Sequence, residues 1–225
     1  MDLVSVLRGE TVADSQITEA VSKAIAESKT RERKFRESVD LAINLKGLDL
    51  SNPKNRVEEE VPLPAGRGRK VKIGIFAGGE LAIKARAFAD TVIQPNEIEE
   101  LANDKKRAKK LADEHQFFLA EAGLMTTIGK RLGTVLGPRG KVPKVIPPGG
   151  DPTGLVTTLR NVVRVRSRAR RTFHANVGTA EMAAEQLATN IEAILKRVEG
   201  KLEHGRQNIH SIFVKTTMGP AQRIL

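Results

Sequence analysis

Between about residues 71 and 132 short apolar runs and helical stretches alternate at a pace found nowhere else in the chain. Val71 to Phe76 reads as a strand, followed by a Gly78-Gly79 turn and a helix over Glu80 to Ala89. Thr91 to Gln94 reads as a second strand before a helix from about Asn96 to Glu114. Phe117 to Ala120 reads as a third, before a helical stretch through Ile128 and Leu132. Strands and helices in this order imply parallel strands joined by right-handed crossovers, a Rossmann-like α/β module.

The two flanks have another texture. Apolar residues recur at helical spacing at Ile17, Ala20, Val21, Ala24 and Ile25, so a helix is expected from about Asp14 to Glu27, with Asp14 or Ser15 as its cap. Apolar and polar residues alternate from Val39 to Leu45, as in a strand with one buried face. A second, polar strand is expected over Arg56 to Leu63. Near the other end, Arg164 to Arg168 alternates like an exposed strand, with Thr172 to Val177 as its hairpin partner. Thr179 is expected to cap a helix carrying Leu187, Ile191, Ile194 and Val198, and a last strand to run from Ile209 to Lys215. The Pro- and Gly-rich run from Gly137 to Gly154 reads as a linker.

The expected fold class is therefore α/β with two domains. Residues 1–66 and 156–225 form a discontinuous domain of antiparallel sheet plus helices (α+β), and residues 67–155 form the inserted α/β domain. The glycine-rich segments near 66–69 and 149–154 would be the two crossings.

Lys and Arg number 38 against 27 Asp and Glu, a net charge of +11. Such an excess favours a polyanionic partner, because each phosphate contact releases condensed counterions. With no cysteine there are no disulfides, thiolate metal sites or cysteine nucleophile. The opening Met1 to Arg8 is too short and polar for a signal peptide. No apolar run approaches the roughly 20 residues that span a bilayer, so a cytoplasmic protein is expected. Tyr and Trp are absent and Phe numbers 7. That scarcity favours backbone, ribose and shape contacts over base stacking.

Several clusters could carry such contacts. In the tail Thr216-Thr217-Met218-Gly219-Pro220, hydroxyls can bond ribose or phosphate, Gly219 permits close approach, and Pro220 stiffens the turn; an ordinary strand end is the plainer reading. Phe35 and Glu37, two apart, would share one side of a strand, with Phe35 either on a ribose or capping the core. Arg164, Arg166 and Arg168 would line one strand face, as a phosphate ladder or as a charged edge that discourages aggregation. Lys105, Lys106, Arg107, Lys109 and Lys110 alternate with acids and read as a solvated helix face. Arg131, Arg139, Lys141 and Lys144 form a weaker secondary candidate.

Other classes have less to stand on. Gly74, Gly78 and Gly79 fit neither a dinucleotide nor a Walker pattern, although a nucleotide-binding enzyme stays open as an alternative. His115, His174, His204 and His210 have no metal-ligand spacing. A general DNA-binding protein is a third reading.

Four segments, in order along the chain, resemble the large-subunit ribosomal protein L-one family, of archaeal type. They are Lys34-Phe35-Arg36-Glu37-Ser38-Val39-Asp40, the stretch Ile128 to Gly140 with Pro143, His174-Ala175-Asn176-Val177-Gly178-Thr179, and Ser211 to Pro220. The resemblance implies a non-enzymatic ribosomal protein without cofactor or metal, in which an α/β insert splits an RNA-binding domain. Implied partners are large-subunit ribosomal RNA at the mobile lateral stalk, exit-site tRNA, and the protein's own messenger, whose translation it would repress. No membrane is implied, and the chain would be a monomer within the cytoplasmic ribosome. The implied RNA-binding residues are Lys34, Phe35, Arg36, Glu37, His174, Gly178, Thr179, Ser211, Thr216, Thr217, Met218, Gly219 and Pro220. The arginine density of Arg160 to Arg171 departs from the family's pattern.

Overall fold

A computed structural model describes residues 12–29, 33–147, 150 and 152–225. Its elements, in chain order, are α1 (Val12–Ser28), β1 (Ser38–Leu45), β2 (Glu58–Pro62), β3 (Ile73–Phe76), α2 (Gly79–Ala85), β4 (Thr91–Ile93), α3 (Pro95–Asn103), α4 (Lys105–Glu114) and β5 (Phe117–Glu121). There follow α5 (Met125–Leu136), β6 (Lys144–Ile146), α6 (Pro152–Arg160), β7 (Val162–Arg166), β8 (Thr172–Thr179), α7 (Ala184–Lys201), β9 (Ile209–Thr216) and β10 (Gln222–Arg223). The chain packs as two units, Met1–Arg69 with Asn161–Leu225, and Lys70–Arg160.

In the first unit the described strands form a sheet in the order β10-β9-β1-β8 and a separate ribbon of β2 and β7, all antiparallel. Alternation in β1 sends Val39, Leu41, Ile43 and Leu45 into the core and leaves Ser38, Asp40, Ala42 and Asn44 on the other face, half-buried. The core face packs against α1 through Ile17, Val21 and Ala24 and against α7 through Leu187, Ile191, Ile194 and Val198. One irregularity has a visible repair. Val39 pairs with Gly178 but Asp40 with Asn176, so Val177 bulges. Its carbonyl accepts from Asn190 Nδ2 at 2.9 Å, and the same fully buried amide holds Ala65 N and Gly66 O. A buried side chain thereby satisfies backbone groups that the ladder leaves open.

In the second unit a parallel sheet, ordered β4-β3-β5-β6, is covered on both faces. Phe76, Phe118 and Ala120 pack with α3, α4 and α5, while Ile73, Ile75, Leu119 and Ile146 pack with α2 and α6. Burial on both faces is why β3 and β5 read as unbroken apolar runs.

Five expectations are corrected. The helix expected from Asn96 breaks at Asp104, whose carboxylate caps α4 by accepting from Lys106 N and Arg107 N. The run 137–154, expected as a linker, contains β6 and the start of α6, and the packing boundary falls after residue 160 rather than 155. Val156 and Leu159 of α6 are buried beside Ile73 and Leu119, which ties that helix to the parallel sheet. Thr172 to Val177 pairs with β1 rather than with β7, and β7 pairs with β2. Thr179 ends β8 and turns the chain through a Met182 N–H bond to its carbonyl, so α7 begins later, at Ala184, with no side-chain cap. At the other end, α1 starts at Val12, so Ser15 lies inside the helix. Of the crossing expected near 149–154, residues 149 and 151 lie outside the described residues, as do Met1 to Arg8.

Candidate nucleic-acid interface

The site is assembled at the end of the antiparallel sheet where β1 begins and β9 ends. There Val39 pairs with Thr216, and the next residue, Thr217, sends its N–H to Ser38 O at 3.0 Å. Thr217 Oγ1 also accepts from Ser38 N at 3.1 Å and lies 3.1 Å from Ser38 Oγ. These bonds lock Thr217 on the sheet edge with its hydroxyl at the surface. Thr216, fully buried, accepts the Gly219 N–H on its own Oγ1 at 3.0 Å, which closes the turn. A Cβ on Gly219 would overlap that oxygen, so the turn requires glycine for space rather than for its φ. Met218 at the tip is 58% exposed. An unbranched thioether held in water by a closed turn is available to a partner's apolar surface.

Glu37 holds the turn from beneath. It is only 5% exposed, and its Oε2 accepts from Ser28 Oγ at 2.9 Å while Arg33 Nε lies 3.3 Å from Oε1. Burial raises its pKa, but hydrogen bonds from Ser28, Thr216 and the Met218 N–H, with the Arg33 charge, outweigh burial and hold it below the ordinary carboxylate value. Phe35 by contrast is 52% exposed. The strand begins only at Ser38, so the expectation that Phe35 and Glu37 share one side fails: one points to solvent and the other is buried.

The remaining candidates separate by burial. Lys34, Arg36, His174 and Pro220 are exposed, and Arg36 pairs with Glu181 at 2.9 Å and donates to Gly68 O. Gly178, Thr179 and Ser211 are buried. Gly178 leaves room for Leu187 and Met182 to pack, and Ser211 accepts from Asn44 Nδ2 at 2.8 Å. The open sheet face adds residues that sequence reasoning missed. Asp40 lies across from Lys215 and Asn176, and Ala42 from Phe213 and His174. The signal for this face was already present in the alternation that buries Val39 and Leu41.

The arginine ladder is divided. Arg164 and Arg166 both close on Glu58 of the neighbouring strand, Arg166 at 3.1 Å, and Arg160 donates to Phe88 O at 2.8 Å. Arg168 departs from the strand altogether, with φ 51°. In the second unit, Arg139 pairs with Asp113 at 2.8 Å and Lys141 donates to Ala112 O at 2.7 Å, so both brace their loop.

The glycine turn after β3 is poorly suited to phosphate, since the Gly78 N–H donates to the Glu121 carboxylate at 3.2 Å. No group of three or more acidic or histidine side chains suited to a metal occurs among the described residues. His115 is buried and bonded through both ring nitrogens, to Leu111 O and Thr91 Oγ1, each at 2.9 Å. No helix among the described residues is long and apolar enough to cross a membrane.

The profile of the ribosomal protein L1p/L10e family matches residues 23–220, which takes in both units and the Thr216–Gly219 turn. The chain belongs to this family. Large ribosomal subunit protein uL1 of Methanocella arvoryzae is 55% identical over 215 residues, covering 95% of this chain and 100% of the relative. The proteins of the same name from Haloquadratum walsbyi and Thermoplasma acidophilum are each 52% identical, over 92% and 91% of this chain and 97% and 95% of the relatives. For an L1p/L10e family member, the matched span places the closed turn and the open sheet face in the shared part of the sequence.

Proposed function

We propose that this chain is a structural constituent of the large ribosomal subunit, in the cytoplasm, and that it binds the subunit's RNA at the mobile lateral stalk. The observation that carries the RNA-binding reading is the closed turn. Thr217 is pinned to Ser38, Gly219 is bonded to Thr216, and Met218 stands out beside an open, polar sheet face. Preorganised donors and acceptors at fixed positions suit ribose 2′-hydroxyls and phosphates of a structured RNA. Phe35, Lys34, Arg36, His174 and Pro220 are exposed and able to extend that contact. Glu37 and Thr216 support it from below, Gly178 and Thr179 lie beside it on the neighbouring strand, and Ser211 is bonded to Asn44 toward the other end of the sheet. The net charge of +11 supplies the salt-dependent part.

Release of exit-site tRNA, and repression of the chain's own messenger through a site that mimics the ribosomal one, follow from the family resemblance and complete the proposal. The chain acts as a monomer without a cofactor and catalyses no reaction. The test compares binding to a stalk-type ribosomal RNA fragment with binding to an unrelated hairpin of equal length at moderate salt. At least hundredfold tighter binding to the stalk fragment is expected. Equal binding to both, erased by salt, would mean that net charge alone drives association and would remove the proposal.

A further inference from the structure

Beyond the turn at Thr217, the sheet of the first unit ends in a second, different surface. β1 runs from Ser38, bonded to Thr217, to Leu45, whose N–H donates to Arg171 O at 2.9 Å. Seven residue-to-residue steps separate the two ends of this eight-residue strand, about 23 Å at the rise of an extended chain. At the far end the turn 167–171 docks on the loop 46–57. Ser167 N donates to Val57 O at 2.9 Å and Val57 N to Ser167 Oγ at 3.0 Å, while Arg56 ties its own loop through Leu50 O and Ser51 O. The platform is thus fixed, and its turn contains the one non-glycine residue with positive φ among those described, Arg168 at 51°.

Arg168, Arg170, Arg171, Lys46 and Lys54 are all exposed there. None of the five forms a salt bridge among the described residues, in contrast to Arg164 and Arg166 on the strand that leads into the turn. Asp49 is the acid nearest them along the loop, and its Oδ1 accepts from Ser51 N. Arg171 and Asp49 both line a concavity of about 430 Å³ with Ser51 and Ala169. An edge strand needs charge to resist aggregation, but these five charges stand on a turn and a loop. A left-handed backbone at a β-unbranched but bulky arginine is disfavoured, and it persists here where it carries a guanidinium into solvent.

We propose that the turn 167–171 and the loop 46–56 form a sequence-independent clamp for the phosphate backbone of the same RNA whose specific contact is made at Thr217. The open face between them, with Asn44, Ala42 and Asp40 along its middle strand, makes the two ends one continuous surface. This inference rests on the RNA-binding reading above and adds a division of labour to it. The Thr217 end selects the RNA, and the arginine end supplies salt-dependent affinity without selecting.

The test uses the full chain with Arg168→Asn, Arg170→Gln and Arg171→Gln together; asparagine tolerates the left-handed backbone. Its charge-matched control is Lys105→Gln, Lys106→Gln and Lys109→Gln on α4. Binding to the stalk fragment and to the unrelated hairpin is followed against salt, and circular dichroism checks that both variants fold. The arginine variant is expected to flatten the slope of log affinity against log salt by about 2–3 on both RNAs, close to one for each phosphate no longer neutralised. The ratio of the two affinities should stay at the wild-type value. A slope no flatter than the control's, or a changed ratio with an unchanged slope, would overturn the clamp. Failure of the RNA-binding reading itself is read separately, as absence of any preference in the wild-type protein.

Discussion

The two units solve the same packing problem in opposite ways. The parallel sheet of Lys70–Arg160 has helices on both faces, so Ile73, Ile75, Phe76 and Phe118 are all inside and its strands offer no face to a partner. Among the described residues, the antiparallel sheet of the other unit packs against helices on one face only. Its second face stays open with Ser38, Asp40, Ala42 and Asn44 half-buried. Parallel strands need crossovers, and crossovers lay helices on the faces; antiparallel strands are free of that demand. Under the RNA-binding reading proposed above, the ligand lies on the sheet face left uncovered, and at its ends.

The largest expected effect separates the units by their cores. Leu41→Ala and Leu119→Ala each empty a fully buried site and should each cost about 2–5 kcal/mol in chemical denaturation. Only Leu41→Ala should also weaken RNA binding measured without denaturant. Equal losses of RNA affinity in both variants would erase the distinction drawn between the sheets.

Next comes the turn. Gly219→Val brings a side chain onto Thr216 Oγ1 and should lower affinity for the stalk fragment roughly a hundredfold, about 2.8 kcal/mol. Circular dichroism at the assay temperature checks that the variant stays folded, so that the loss is read at the turn. Thr217→Ala removes a hydroxyl bonded at Ser38. It should cost about 1–3 kcal/mol of specific affinity and leave the salt slope at the wild-type value; a flattened slope with preference retained would contradict that role.

The smallest effect is acid-linked, and each unit has its own carboxylate. Asp90 accepts from Ile73 N at 3.1 Å and pairs with Lys70 at 2.9 Å. Burial raises its pKa, but the Lys70 and Ile73 hydrogen bonds and the Lys70 and Arg160 charges outweigh burial and hold it below the ordinary value. Glu37 is lowered in the same sense. A lowered folded pKa contributes stability that is complete above the unfolded value and is lost as pH falls through the folded one. Below an ordinary carboxylate value of 4.5 the Gly219 amide resonance should therefore shift with Glu37, and Glu37→Gln should abolish that acid step. Asp90→Asn should leave the Gly219 resonance alone and remove part of the acid sensitivity of the parallel-sheet unit. A Gly219 shift that follows Asp90 instead would join what the structure separates.

Much of this arrangement was legible along the chain. The alternation from Val39 to Leu45 named a strand, and the apolar runs at Val71–Phe76 and Phe117–Ala120 named two more, which the fold buries on both faces. The tail Thr216-Thr217-Met218-Gly219 carried its own chemistry. These are local signals, because side-chain period and turn chemistry are set by a few neighbouring residues. Distant pairings were settled in the folded chain alone. Glu58 took Arg164 and Arg166 out of the expected ladder from more than a hundred positions away, and the start of β1 at Ser38 put Phe35 outside and Glu37 beneath the turn. Asn190 pinned Ala65, Gly66 and Val177 at once. Whether a charge is free to meet an RNA depends on which opposite charge the fold brings to it, and that is a property of long-range register rather than of sequence period.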